Sequence, residues 1–305
     1  MFRRFVKAKT GTLAYQLYSA LHTCITISGL IGPARRLAGP TIGRLLYRLS
    51  AGYSGPVDIR GHRMSLASRG TYPPADMAMG RYEPRTTQLF EEIVKPGMVV
   101  VDVGAHVGYY SLLAARHVGD TGIVYSFEPE PQNYAQLVNN ISLNGYNNVR
   151  PVNYGLGRTT GPSVLYLTSL DNGRHSIYRV KTGIQSEIAI ETTTLDIFLE
   201  SEQWPHVDVI KIDVEGAEAD VLNGMKKSLL RSNDLQIIIE FNPVLIHSSK
   251  RDPKVFLNDL IAMNFKVFGI DEKNGLVPLE EVRSDRIYER LIETESSVNL
   301  YCTRA

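Results

Sequence analysis

The sequence predicts an α/β protein with a Rossmann-like, mostly parallel sheet and helices on both of its faces. Three observations carry that reading. From Met98 onward, short β-rich runs alternate with helical ones, the pattern of βαβ units. The first buried run ends in a turn bracketed by Gly104 and Gly108, and the second ends in an acid, Glu128. The length, 305 residues with 43% apolar side chains, suits one large α/β domain plus an extension.

Taken in order, residues 1–57 read as a basic helical extension. They hold eight basic side chains and no acid, so this stretch is +8, and the rest of the chain has 25 basic against 32 acidic groups, or −7. Leu13, Leu17, Leu21 and Ile25 recur every four residues in a charge-free stretch, 11–32, a helical stripe. Gln16, His22 and other polar residues interrupt it, so a spanning helix is not expected. Residues 34–49 mix Leu37, Leu45, Leu46 and Leu49 with Arg35, Arg36, Arg44 and Arg48. Such helices either pack on the catalytic part or lie on a membrane surface, so peripheral contact through residues 1–50 is an open alternative. No small-residue cleavage site follows a short apolar core, so no signal peptide is expected.

Residues 58–97 form a lead-in with four prolines and one helix candidate, Thr86–Val94. The catalytic domain is expected over 98–305. Its strand candidates are Val99–Val103, Ile123–Phe127, Val149–Asn153, Val207–Ile212, Leu235–Glu240, Lys266–Ile270 and Val298–Cys302. Helix candidates are Tyr109–His117, Pro131–Asn144, Leu195–Glu200, Ala217–Leu230 and Pro253–Met263. Residues 161–193 interrupt the alternation with two β-rich runs, Val164–Thr168 and Ile188–Thr193, around a polar loop. They predict an inserted antiparallel hairpin of the kind that shapes a substrate site.

The two cysteines, Cys24 and Cys302, form no CxxC pair, which argues against a zinc site or disulfide framework and fits a cytoplasmic setting. The net −7 beyond the extension argues against strong nucleic-acid binding. The sequence sets no oligomeric state.

The glycine turn, Asp102-Val103-Gly104-Ala105-His106-Val107-Gly108-Tyr109, lets backbone approach a ligand and opens a helix N-terminus toward it. Dinucleotide-binding domains share that device. Asp102 at the strand end suits a cationic or hydroxyl-bearing ligand. Glu128, 26 residues further on, is placed to accept both ribose hydroxyls of an adenosyl group. The missing third glycine of G-x-G-x-x-G counts against an NAD-dependent oxidoreductase.

These motifs resemble those of the FkbM methyltransferases. The resemblance lies in DVGAHVGYYS at 102–111, FEPEP at 127–131 and IKIDVEGAEADVLNGM at 210–225, supported by LVNNISLNGYNNV at 137–149 and TTLD at 193–196. It departs at His106 and Glu130, where asparagine is common in the family. It implies a class I methyltransferase domain that uses S-adenosyl-L-methionine, with a hydroxyl oxygen of a saccharide, glycolipid or secondary metabolite as acceptor. Expected cofactor contacts are Asp102, Gly104, Ala105, His106, Gly108, Tyr109, Glu128 and, from Arg81-Tyr82-Glu83-Pro84, Glu83. A non-catalytic cofactor-binding relative is the other alternative, against which the intact motifs stand.

Methyl transfer is an in-line displacement, so positioning dominates, and a hydroxyl acceptor needs a base. The fourth parallel strand delivers Asp213, Glu215 and Glu218 to the carboxyl rim of the sheet. Asp213 is the expected base or acceptor-orienting group, with Lys211 holding its geometry; Glu215 is second, and His175 in the insertion is a further candidate. Glu218 equally suits the N-terminus of the following helix. No metal is expected. The alternative is Mg²⁺ on Asp213, Glu240 and Asn242, oxygen ligands from adjacent strand ends.

Overall fold

A computed structural model describes residues 56–65, 77, 82–168, 175–179, 184–283 and 285–304. The sequence readings over 1–55, including the charge-free helical stripe at 11–32 and the basic one at 34–49, lie outside the described residues. The chain divides into two compact units, one of residues 1–69 and 73–82, the other of 70–72 and everything from Glu83 onward.

In the first unit the described structure is a short hairpin, β1 (Val57–Ile59) and β2 (His62–Met64), paired antiparallel. Its turn is closed by Asp58, whose carboxylate accepts from the Gly61 N–H at 3.2 Å.

The second unit opens with α1 (Pro84–Ile93), β3 (Val99–Val103), α2 (Tyr109–Val118), β4 (Ile123–Phe127), α3 (Pro131–Leu143) and β5 (Val149–Val152). These three strands pair in parallel, β4 between β3 and β5. The chain then leaves the sheet as β6 (Gly155–Leu156), β7 (Gly161–Thr168) and β8 (Ile184–Thr193), and returns through α4 (Leu195–Ser201). The insertion is therefore larger than the expected hairpin: β7 and β8 are antiparallel, and β6 joins β8 in parallel.

Strands β9 (Val209–Ile212) and β10 (Gln236–Phe241) re-enter on the other side of β3. β11 (Lys266–Asp271), β12 (Gly275–Pro278) and β13 (Val298–Thr303) complete an eight-stranded sheet of order β12-β11-β13-β10-β9-β3-β4-β5. β13 is antiparallel to both neighbours and β12 is antiparallel to β11; the remaining strands run parallel, as the Rossmann-like reading requires. The connections reverse direction between β3 and β9. In open α/β sheets the crevice beyond such a switch point is where ligands bind.

Alternation along β3 sets the two faces. Val101 and Val103 join the large core with Leu195, Leu199, Ile210, Ile212 and Leu222, whereas Asp102 points to the opposite face, where Ser111 of α2 meets it. The helix expected over Ala217–Leu230 is two helices, α5 (Glu218–Asn223) and α6 (Lys226–Arg231). Gly224 marks the break, and a Cβ there would lie 2.0 Å from the Gly157 carbonyl oxygen. Additional elements are α7 (Pro243–Ser248), α8 (Pro253–Ala262), α9 (Leu279–Arg283) and α10 (Asp285–Glu293). Among the described residues no helix is long and apolar enough to cross a membrane.

Candidate functional site

The turn after β3 is built by backbone. Gly104 and Ala105 N–H groups donate to the Phe127 carbonyl at 3.0 and 2.9 Å, which locks the turn to the end of β4. Gly104 has φ +81, and a Cβ there would stand 1.9 Å from the Asp213 carbonyl oxygen. Only glycine lets the ends of β3 and β9 come this close. Gly108, at φ 95, caps the N-terminus of α2.

Glu128 follows β4 and is 6% exposed. One carboxylate oxygen accepts from the His106 N–H at 2.8 Å, the other from the Glu130 N–H at 2.9 Å. Burial pushes its carboxyl up to about 7, against the pull of those N–H groups. Glu130 itself caps α3 through the Asn133 N–H at 2.6 Å.

A cleft of about 630 Å³ lies over this switch point. Gly104, His106 and Glu128 line it together with Asp213, Val214 and Glu215. Leu165, His175, Ile177 and Thr192 of the insertion close it. Six of the expected site residues thus meet in one place: Gly104, His106, Glu128, His175, Asp213 and Glu215. Nδ1 of His175 accepts from the Thr168 N–H at 3.3 Å, and burial lowers its pKa.

The remaining expected residues stand behind the cleft. Asp102, 2% exposed, accepts from the Ser111 hydroxyl at 2.6 Å and does not line the cavity. Burial raises its carboxyl to about 6. Its place is explained by the pleat: Val101 and Val103 face the large core, so Asp102 must face α2. Tyr109 and Ala105 are buried, Tyr109 against the Thr87 hydroxyl at 3.1 Å. Glu83, at the N-cap of α1 with φ 40, accepts from the Tyr110 hydroxyl at 2.5 Å and is likewise outside the cleft.

Lys211 is fully buried in β9. Its ammonium donates to Asp213 at 3.1 Å and lies 5.2 Å from the Tyr110 ring centre. Burial alone would lower its pKa; the carboxylates of Asp213, Glu83 and Glu240 outweigh burial and hold it charged. Burial, followed by Asp213, pushes Glu240 well above the carboxylate range. Glu218, 1% exposed, accepts from the Gly216 N–H at 3.0 Å, and burial raises it to about 7.

Asp213, Glu215 and Glu240 each bring one carboxylate oxygen within 4.8 Å of the others. Asn242, the amide expected beside Asp213 and Glu240, is engaged by the helix that follows it. Its side-chain oxygen caps α7, accepting from Val244 and Leu245 N–H at 3.1 and 3.2 Å.

Ser176 is a residue that sequence reasoning passed over. It is 2% exposed, and its hydroxyl donates to the Glu215 carbonyl at 2.6 Å while accepting from the Tyr178 N–H at 3.1 Å. Tyr178 in turn donates to Asp220, which Arg158 and Arg251 also hold. These contacts pin the insertion to the loop after β9. The signal for them was the polar stretch His175-Ser176, which names no partner.

Comparison with known proteins gives three relevant likenesses. The hexuronic acid methyltransferase AglP of Haloferax volcanii is 30% identical over 154 residues, 50% of this chain and 60% of the relative. Methyltransferase 1 of Beauveria bassiana is 29% identical over 144 residues, 41% of this chain and 57% of the relative. The chain thus spans under two thirds of the length of either. A crystal structure of a SAM-dependent O-methyltransferase from Thermotoga maritima superposes with a TM-score of 0.41 at 12% identity, over 73% of this chain and 65% of that one. The model of the methyltransferase FkbM domain matches residues 102–258, just over half of the chain. The chain belongs to the FkbM methyltransferase family.

Proposed function

We propose that this chain transfers a methyl group from S-adenosyl-L-methionine to an acceptor hydroxyl, on a saccharide, glycolipid or secondary metabolite. The observation that carries this is Glu128, held by two backbone N–H groups in the cleft that Asp213 also lines. A carboxylate has about four lone-pair sites; the His106 and Glu130 N–H groups and the Asn133 side chain engage three, which leaves one for a ribose hydroxyl. The close turn at Gly104 and the α2 N-terminus leave room for the rest of the cofactor.

The cofactor, when bound, supplies a methyl carbon on a sulfonium, which accepts an oxygen lone pair as the carbon–sulfur bond breaks. The chain's own residues orient and deprotonate. Asp213 takes the acceptor's proton, and Lys211, 3.1 Å away and buried, fixes its direction. Glu215 and His175 flank the same space and orient the acceptor. The insertion, pinned by Ser176, excludes water from one side.

S-adenosylhomocysteine should raise the melting temperature and NAD⁺ should not. The reverse result would return the chain to the oxidoreductase reading. Glu128→Ala should shrink the S-adenosylhomocysteine shift, because it removes the carboxylate that stands beside the glycine turn.

A further inference from the structure

A separate group of metal-ligating side chains lies at the opposite end of the sheet from the cleft. The chain enters β9 as His206-Val207-Asp208, and it enters β10 through a turn that holds Asp234. Val207 is buried in the large core, and the side chains on either side of it meet outside that core. Asp208 precedes β9 and Asp213 follows it. Five residue steps separate them, roughly 16 Å of strand.

The spacing of the three groups is that of ligands around one ion. Nε2 of His206 lies 3.0 Å from an Asp234 carboxylate oxygen and 3.6 Å from an Asp208 oxygen. Each residue offers one ligand atom within 4.8 Å of the other two. A tetrahedral divalent ion with bonds of about 2.0–2.1 Å holds its ligands about 3.3 Å apart. The two measured separations bracket that edge.

Asp208 is also held from behind. Its other carboxylate oxygen accepts from the Val99 N–H at 2.7 Å. Its own N–H donates to the Val99 carbonyl, and its carbonyl accepts from the Gln236 N–H, both at 3.0 Å. Outer contacts of this kind orient a ligating carboxylate.

Charge distinguishes this group from the carboxylates at the cleft. There, the Lys211 ammonium already sits beside Asp213. Here, among the described residues, neither aspartate is paired with a lysine or arginine. A proton on His206 offsets one of the two negative charges. A divalent ion offsets both and uses the imidazole nitrogen as a ligand. One nitrogen and two carboxylates suit zinc and its neighbours, whereas Mg²⁺ prefers oxygen ligands and keeps its waters. Cysteine is not required.

We propose that His206, Asp208 and Asp234 bind a divalent transition ion of the zinc type, with water as the fourth ligand. The ion ties the segment entering β9 to the turn entering β10 and, through Asp208, to the start of β3. It stabilises the fold and takes no part in methyl transfer.

The test is calorimetric titration of ZnCl₂ into the full chain after chelator treatment, with thermal unfolding of the same samples. Zn²⁺ should bind and raise the melting temperature of the parent. His206→Ala and Asp234→Asn should each weaken that binding by at least about tenfold, a loss seen even when an outer partner of a ligand is removed. The rise should vanish with it at matched Zn²⁺. The two side chains are 52% and 74% exposed, so in chelator both variants should melt close to the parent. Absence of Zn²⁺ binding in the parent, or binding that is undiminished in either folded variant, overturns the proposal.

Discussion

Gly104 and Asp213 touch through backbone: a Cβ on residue 104 would lie 1.9 Å from the Asp213 carbonyl oxygen. The contact joins the glycine turn to the acidic loop, so the two loops hold one another's spacing. Gly104→Ala cannot be relieved by a side-chain rotation, and φ at this position is +81. We expect a loss of about 1–3 kcal/mol in urea unfolding and no S-adenosylhomocysteine binding. A variant with the parent's midpoint and affinity would show that the two loops are not rigidly coupled.

Asp213→Ala should leave S-adenosylhomocysteine affinity within a few-fold and lower turnover about 10²–10⁴-fold. Asp213→Asn keeps the shape and should lose nearly as much, because the proton acceptor is gone. Equal loss of cofactor affinity in both variants would place Asp213 in the cofactor site instead.

Glu218 offers a pH signature. Its folded pKa, raised by burial to about 7, exceeds the ordinary 4.5. The folded state therefore binds the proton more tightly. The stabilisation is complete below about pH 4.5 and is lost as pH rises through about 7. Glu218→Gln keeps an acceptor for the Gly216 N–H and never ionises. Its melting temperature should exceed the parent's at pH 8, and the gap should close toward pH 5. A gap that does not change with pH would mean Glu218 titrates normally.

Methyl transfer should persist in EDTA. Asp213, Glu215 and Glu240 converge as a cation site would, but the Lys211 ammonium already sits 3.1 Å from Asp213. A second cation would meet that charge at close range. Loss of turnover in EDTA, restored by Mg²⁺, would put a metal on the three carboxylates.

The parallel strands, the insertion and the glycine turn were legible in the sequence because each is a local pattern. Val99–Val103 and Ile123–Phe127 emerge with the expected bounds. What escaped was decided at long range. The break at Gly224 answers to Gly157, far away in sequence, while the apolar period runs on through Leu230. Strand alternation tells that Asp102 and its neighbours point oppositely, but not that the Ser111 hydroxyl of α2 meets the Asp102 carboxylate. Glu83 was noticed from its motif. Its partnership with Tyr110 and Lys211 depends on a left-handed cap and a sheet position that no local pattern encodes.

The position of β13 bears on how the protein is made. It is later in the chain than both of its neighbours, yet it lies between β10 and β11. During synthesis, β11 lacks the strand that links it to β10 until Val298–Thr303 leaves the ribosome. The half that bears the glycine turn can assemble beforehand. The half beyond β10 must wait for β13, so nascent chains would form the glycine turn before that side of the sheet is complete.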